Sequence, residues 1–225
     1  MKDTIIVSVC ATGRMVLDCF VAAGRGDEIA GFVHGRLEGK ASETEFDGFP
    51  VLGTAADLER LKKESGIRKG VVAAGEIAQR EELFGAMTRA GVEPVSAVHP
   101  TAVVTRGVEL GRNAIIAPNV TVGVSSRIAE GALLNTACSV DHDCEIGEFA
   151  HICPGTHLAG TVTIGRRSWI GIGTSVIQGV TIGEDTFVGA GAVVVGDLPA
   201  GVLAYGVPAR VVRALEDSER GRIIH

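Results

Sequence analysis

Residues 102–197 divide into sixteen six-residue blocks: AVVTRG, VELGRN, AIIAPN, VTVGVS, SRIAEG, ALLNTA, CSVDHD, CEIGEF, AHICPG, THLAGT, VTIGRR, SWIGIG, TSVIQG, VTIGED, TFVGAG and AVVVGD. The third place is aliphatic in every block, from Val104, Leu110 and Ile116 to Ile182, Val188 and Val194, and no block carries an insertion. A period of six matches neither the 3.6 of a helix nor the 2 of an alternating strand. It fits a coil of short strands, each turning one bulky aliphatic inward. Gly, Asn or Asp after each strand allows the turn its positive φ. Hexapeptide repeats of this kind are the signature of a parallel β-helix. The unbroken pattern also predicts that no long loop leaves the coil.

The chain around this stretch has 225 residues, 46% hydrophobic and 21% charged, which is ordinary globular material. Aromatic residues are only 4% while glycines number 31, so the core must be built from small and branched aliphatics, as a narrow repetitive β architecture requires. The net charge of −6 opposes binding to a phosphate backbone and excludes nucleic acid as an expected partner. Five cysteines, with no CxxC among them, read as reduced thiols of a cytoplasmic protein. The opening IIVSVCA reads as a first strand and not a signal peptide, and no apolar run approaches the ~20 residues of a membrane span.

Before the repeat, strand and helix patterns alternate. Strands are expected at 4–10, 28–33, 70–75 and 94–98. Helices are expected at 15–24, at 54–65 with Thr54 as N-cap, and at 76–90. This predicts a small Rossmann-like parallel α/β domain over 1–98, followed by the β-helix over 99–215 and a tail over 216–225. Ligands of such sheets lie at the carboxyl ends of the strands. That places Thr12, Gly13 and Arg14, His34 with Gly35, and Gly75 around one crevice. The Ala11–Arg14 turn either presents backbone N–H groups to a phosphate or is only a tight connection, since no GxGxxG is present.

With these features in view, the chain resembles the bacterial hexapeptide-repeat sugar acetyltransferases, which include UDP-4-amino-sugar N-acetyltransferases and sialic acid O-acetyltransferases. An α/β domain precedes an uninterrupted coil. The stretch LLNTACSVDHDCEIGEFAHICPGTHLAG resembles the active-site segment of that family, and AYGVPARVV resembles its end. The resemblance implies a left-handed helix with three strands per turn, a homotrimer, and acetyl-CoA as co-substrate. It also implies roles: His142 as general base, Asp143 polarising it, and Asn135 shaping the site. His151 would meet the acetyl end of acetyl-CoA, and Ala159, Gly160, Ile172 and Ala190 would line the pantetheine path between subunits. The first domain departs from the family. Cys10-Ala11-Thr12-Gly13-Arg14-Met15 stands where GASGHG is common, and Phe32-Val33-His34-Gly35 stands where one or two Asp usually follow the second strand.

The residues themselves suit acetyl transfer. A sugar amine is largely ammonium at neutral pH, and a base near pKa ~6.5 can take its proton as attack proceeds. His142 sits at the fifth place of CSVDHD, in a turn and not at the inward place, so it can face a ligand. Asp141 and Asp143 flank it and can set its tautomer. His157 is the weaker candidate. The spacing of the three histidines does not resemble a zinc triad, and no metal is expected. Arg166 and Arg167 read as a solvated face, Arg210 equally as that or as a CoA phosphate contact, and Trp169 as a subunit contact. Cys138, Cys144 and Cys153 read as packing residues. The expected reaction is N-acetylation of a nucleotide-linked amino sugar. O-acetylation of a sialic-acid-like sugar, or a trimeric assembly module without catalysis, are the alternatives.

Overall fold

In the computed structural model, which describes residues 2–39, 41 and 43–222, the first part of the chain folds around six strands. They are β1 (Thr4–Val7), β2 (Ile29–His34), β3 (Glu45–Phe46), β4 (Phe49–Thr54), β5 (Lys69–Val72) and β6 (Glu93–Pro94). Their order is β3-β4-β2-β1-β5-β6. Pairing is parallel except in the β3–β4 hairpin, whose two-residue first strand is too short to leave a periodic signal. The chain winds outward from β1 to β2 and β4, then jumps back to β5 on the other side. The switch point therefore lies between the ends of β1 and β5, where α/β sheets take their ligands.

Helix α1 (Ala11–Ala22) begins four residues earlier than its apolar spacing suggested, so Ala11–Arg14 is its first turn and not a connection. Gly13 explains why the entry is so tight. A Cβ there would lie 2.4 Å from the Ser8 carbonyl. Thr54 occupies its expected cap position, its N–H donating to the Asp57 carboxylate at 2.9 Å ahead of α2 (Leu58–Ser65). Helix α3 (Ile77–Arg89) returns the chain to β6.

The expected strand 94–98 splits. Glu93–Pro94 closes the sheet, while β7 (Ala97–Val98) pairs with the coil and is its first rung. Strands β8 to β23 are the two-residue segments from Val103–Val104 at steps of six to Val193–Val194. They stack as a left-handed parallel β-helix with three faces. The first face carries β7, β10, β13, β16, β19 and β22, the second β8 to β23 in steps of three, the third β9 to β21 likewise. Fourteen of the sixteen inward aliphatics are fully buried; Val104 and Leu110, on the open first coil, are not. Each buried side chain of this size contributes about 1.5–3 kcal/mol.

Every sixth residue from Gly107 to Gly191 has positive φ. Gly, Asn and Asp fill ten of these places, but Ser125, Ala137, Phe149, Thr161 and Arg167 take the others. The coil thus imposes the left-handed conformation on whatever residue stands there, against a local cost of about 1–2 kcal/mol.

Strands β24 (Val202–Gly206) and β25 (Ala209–Ala214) form an antiparallel hairpin that extends the first face. The tail expected at 216–225 is not separate in its described part. Gly221 accepts a hydrogen bond from the Ala78 N–H of α3 at 2.9 Å. None of the described helices is long and apolar enough to cross a membrane.

The α/β part docks on the first face. There the outward row, in register up the stack, reads Ala97, Ile115, Leu133, His151, Trp169, Phe187 and Leu203. Ala97, Ile115 and Leu133 share a core with α1. The corresponding rows on the other two faces are mostly polar or charged. The Asn113 side chain pairs with both the N–H (2.7 Å) and the carbonyl (3.1 Å) of Val72, joining a coil corner to β5. Phe149 inserts its ring beside Phe84 of α3, with centroids 5.6 Å apart.

Candidate active site

His142 lies on the corner between β14 (Ser139–Val140) and β15 (Glu145–Ile146), where second and third faces meet. Its Nδ1 is 2.8 Å from a carboxylate oxygen of Asp143. Asp143 stands at an obligatory left-handed place (φ 55°), which turns its side chain back onto its neighbour. The Asp141 carboxylate is engaged elsewhere, accepting the His142 backbone N–H at 2.8 Å. Asp143 is thus the partner of the imidazole. Its hydrogen bond is the chief cause that raises the His142 pKa above 6.5; desolvation opposes it, and the charges of Asp141 and Asp143 add to the rise. An N–H on Nδ1 leaves Nε2 with its lone pair free. The ring rests on Gly160, one coil above. A cleft of 370 Å³ opens beside it, lined by Asp141, His142, Ala159, Gly160, Thr161 and Gln178.

Asn135 is not there. It follows β13 (Leu133–Leu134), on the corner between first and second faces, and its Nδ2 is 3.2 Å from Nε2 of His151. His151 opens β16 (His151–Ile152) and is buried under the α/β part, against the Trp169 ring at 4.2 Å. Burial, followed by the positive charge of Arg80, pushes its pKa down to about 3, so the ring is neutral. The four pantetheine candidates divide in the same way. Ala159 and Gly160 share the corner of His142, whereas Ile172, 60% exposed, and Ala190 share the corner of Asn135. The site candidates of one chain therefore lie on two different edges of the coil.

The crevice of the α/β sheet is only partly as expected. Near the switch point Thr12 meets Gly75, while Gly35, next to His34, meets Ser8 and Gln79. A Cβ on Gly75 would lie 3.1 Å from Thr12 Oγ1, and one on Gly35 would lie 3.3 Å from Gln79 Nε2 and 3.9 Å from Ser8 Oγ. His34 Nδ1 is buried without a hydrogen-bond partner. Gly13 is buried in the first turn of α1, close against the Ser8 carbonyl. Arg14 does not join them. Its guanidinium turns outward to Asp47 at 2.9 Å and lies over the Phe46 ring, because the helix starts early and carries residue 14 to its outer side. A larger groove of 720 Å³ runs along α1, but its Arg14 and Asp47 already pair with each other, and it is lined by none of the residues around His142.

One further expectation needs correction. Arg166 and Arg167 are not a solvated face: Arg166 pairs with Glu81 of α3, and Arg167 with Asp185 at 2.5 Å and Glu81 at 3.6 Å, which ties the two parts of the chain together. Trp169 lies between His151 and Phe187, stacked on the latter at 5.8 Å, as a contact within the chain. His157 is exposed and bonded to Ser139 at 2.8 Å. Cys138, Cys144 and Cys153 are buried, and burial raises the thiols of Cys138 and Cys153 to about 12. Among the described residues no three His, Cys, Asp or Glu groups converge as metal ligands. Missed altogether was Arg80, fully buried on α3. The outward row that recurs every eighteen residues on the first face is the signal that marks which face is covered.

Comparison with known proteins agrees with this geometry. Residues 161–196 match the family model for the bacterial transferase hexapeptide, six repeats. The GDP-perosamine N-acetyltransferase of Escherichia coli O157:H7 is 35% identical over 142 residues, 62% of this chain and 60% of that protein. The crystal structure of PerB from Caulobacter crescentus, in complex with CoA and GDP-perosamine, is 37% identical. It superposes with a TM-score of 0.86 over 92% of this chain and 96% of PerB. The acetyltransferase domain of PglB from Neisseria gonorrhoeae, in complex with acetyl coenzyme A, is 30% identical, with a TM-score of 0.83 over 94% and 99% of the two chains. A left-handed β-helix behind a small α/β sheet defines the class as hexapeptide acyltransferases. The chain belongs to the hexapeptide-repeat sugar acetyltransferases, which are acetyl-CoA-dependent enzymes.

Proposed function

We propose that this chain, as a homotrimer, transfers the acetyl group of acetyl-CoA to the amine of a nucleotide-linked amino sugar, with His142 as general base. The observation that carries this reading is the exposed His142–Asp143 pair, held at 2.8 Å, with Nε2 free above an open cleft. Nε2 takes a proton from the sugar nitrogen as that nitrogen attacks the thioester carbon. The tetrahedral adduct then expels the CoA sulfur, and the imidazolium returns the proton to it. Asp143 stabilises the imidazolium between these steps. Asn135, on another corner with His151 buried behind it, completes the site when a neighbouring subunit brings that corner to His142. Its chemistry is a neutral amide donor at the acetyl carbonyl, where negative charge develops. The crevice of Ser8, Thr12, Gly13, His34 and Gly75 would hold the nucleotide. The likeness to a sugar acetyltransferase bound to CoA and GDP-perosamine supports an amino-sugar acceptor.

The test is CoA release, followed with a thiol reagent, over a panel of GDP- and UDP-linked amino sugars and free sialic acids. Turnover confined to amino-sugar nucleotides and lost in His142→Ala is the expected result. Full turnover in that variant overturns the base assignment, and turnover with sialic acids alone overturns the acceptor.

A further inference from the structure

Asp141, beside the base, is held by three hydrogen bonds that leave one of its polar atoms unused. Its backbone N–H donates to the Leu158 carbonyl (3.0 Å), and its carbonyl accepts the Ser126 hydroxyl (2.7 Å). Its Oδ1 accepts the His142 backbone N–H (2.8 Å). Oδ2 has no partner among the described residues. The exposed side chain forms part of the wall of the 370 Å³ cleft next to His142.

That cleft is acidic. No lysine or arginine lines it, and Asp143, which holds the imidazole, adds a second carboxylate at its edge. In the column of His142 the nearest cation is Arg106, two coils below with Val124 between, about 10 Å away at the strand spacing of a sheet. Arg127, on the adjoining third face, is paired with Glu109 at 3.0 Å. The corner of Asn135, which the proposed trimer would bring opposite, comprises residues 117–119, 135–137, 153–155, 171–173 and 189–191 and carries no charged side chain. A site with two carboxylates, one imidazole and no cation attracts an ammonium and repels an anion.

We propose that Asp141 selects an amine over a hydroxyl acceptor: its free Oδ2 receives the acceptor's ammonium beside His142, and the same charge turns away sugars that carry a carboxylate. This rests on the amino-sugar reading given above and narrows it to a residue. The bound ammonium first sheds one proton to water in the open cleft, which frees its lone pair. Attack on the thioester makes the nitrogen cationic again until Nε2 of His142 takes the second proton. Asp141 thus faces a positive charge in the bound acceptor and in the adduct alike, so its contribution falls mainly on binding. A hydroxyl acceptor arrives without charge and gains nothing from it.

The experiment is isothermal titration calorimetry in the presence of CoA. It compares GDP-perosamine and a UDP-linked 4-amino sugar, each with the counterpart that carries a hydroxyl in place of the amine. At pH 7 the wild type should bind one of the amines about fivefold tighter than its hydroxyl counterpart, the upper range of a partly screened ion pair. The preference should fade as pH rises past the pKa of the amine, where the acceptor is neutral and Asp141 still charged. Asp141→Asn keeps an Oδ1 that accepts the His142 N–H but carries no charge. Its ratio should fall to about one, with the loss in turnover lying in KM for the amine more than in kcat. Asp197→Asn is the control. Its Oδ1 likewise accepts a coil N–H, from Thr181 at 2.8 Å, on the same corner three coils above Asp143, and this variant should keep the wild-type ratio.

A wild-type ratio in Asp141→Asn overturns the proposal. So does equal weakening of amine and hydroxyl compounds, which is what loss of a structural cap alone would give, or an Asp197→Asn variant that loses the ratio as fully. If Asp141→Asn does not fold, a wild-type preference that persists at high pH overturns it. Binding of none of the four compounds overturns the acceptor proposed above and this inference with it. Turnover of the amines with an unchanged ratio leaves that acceptor standing and removes only the role of Asp141.

Discussion

The His142 imidazole occupies the space that a side chain at residue 160 would need: a Cβ on Gly160 would come within 2.5 Å of both Cε1 and Nε2. The glycine therefore does more than ease the turn. It is the floor on which the base lies, one coil above the backbone that carries it.

Gly160→Ala should displace the ring while leaving the coil intact, because His142 is exposed and free to swing outward. The expected outcome is a fall in kcat of roughly tenfold or more, with a melting temperature close to wild type. Steady-state kinetics beside a thermal melt will check it. A silent substitution would mean that the ring position seen here is not the working one.

The Asp143 hydrogen bond raises the His142 pKa, and only the neutral ring can accept a proton. Activity should therefore rise with pH through a value above 6.5. Asp143→Asn removes the stabilisation of the imidazolium, so the acid limb of kcat/KM should shift to lower pH. The plateau should also drop, since the base is weaker. A pH profile of kcat/KM for the two proteins measures both effects. His142→Ala should lower the plateau by roughly 10²–10⁴-fold.

Since His142 and Asn135 sit on different corners of one chain, a site shared between subunits makes a strong prediction. His142→Ala and Asn135→Ala chains should each be nearly inactive alone. Mixed by co-expression in equal amounts, they should recover about a quarter of wild-type activity, because a random mixture in a cyclic trimer leaves that share of interfaces intact. Failure to complement, in a protein whose mass in solution shows it to be trimeric, would place both residues in one subunit's site.

Burial and the Arg80 charge hold the His151 pKa at about 3, whereas an unfolded histidine titrates near 6.5. Between those values the unfolded chain binds the extra proton. This contribution to stability is complete above pH ~6.5 and is lost as pH falls toward 3, at no more than about 1.4 kcal/mol per pH unit. Denaturant unfolding of wild type and His151→Gln from pH 7 to 4 should show the wild type falling faster on acidification. Parallel curves would show that His151 is solvated in the native state.

What the amino-acid sequence determined by itself is the coil. An aliphatic at every sixth place and a turn residue three places later are local instructions, read within one block. They settle which side chains enter the lumen and where the backbone goes left-handed. They also fix the His142–Asp143 pair, because adjacent residues at a forced turn have little choice of geometry. Tertiary structure alone decided the rest. A six-residue period places residues on three outward faces, and although the apolar row at every eighteenth residue marks one of them for cover, the burial of the polar His151 within that row appears only once the α/β part docks. The pairing of Asn135 with His151 and the grip of Arg80 on Gly75, Gly131 and Phe149 join residues from separate coils and domains. The low dielectric that keeps His151 neutral is likewise a property of the docked interface, where water has been excluded, and no single segment carries it.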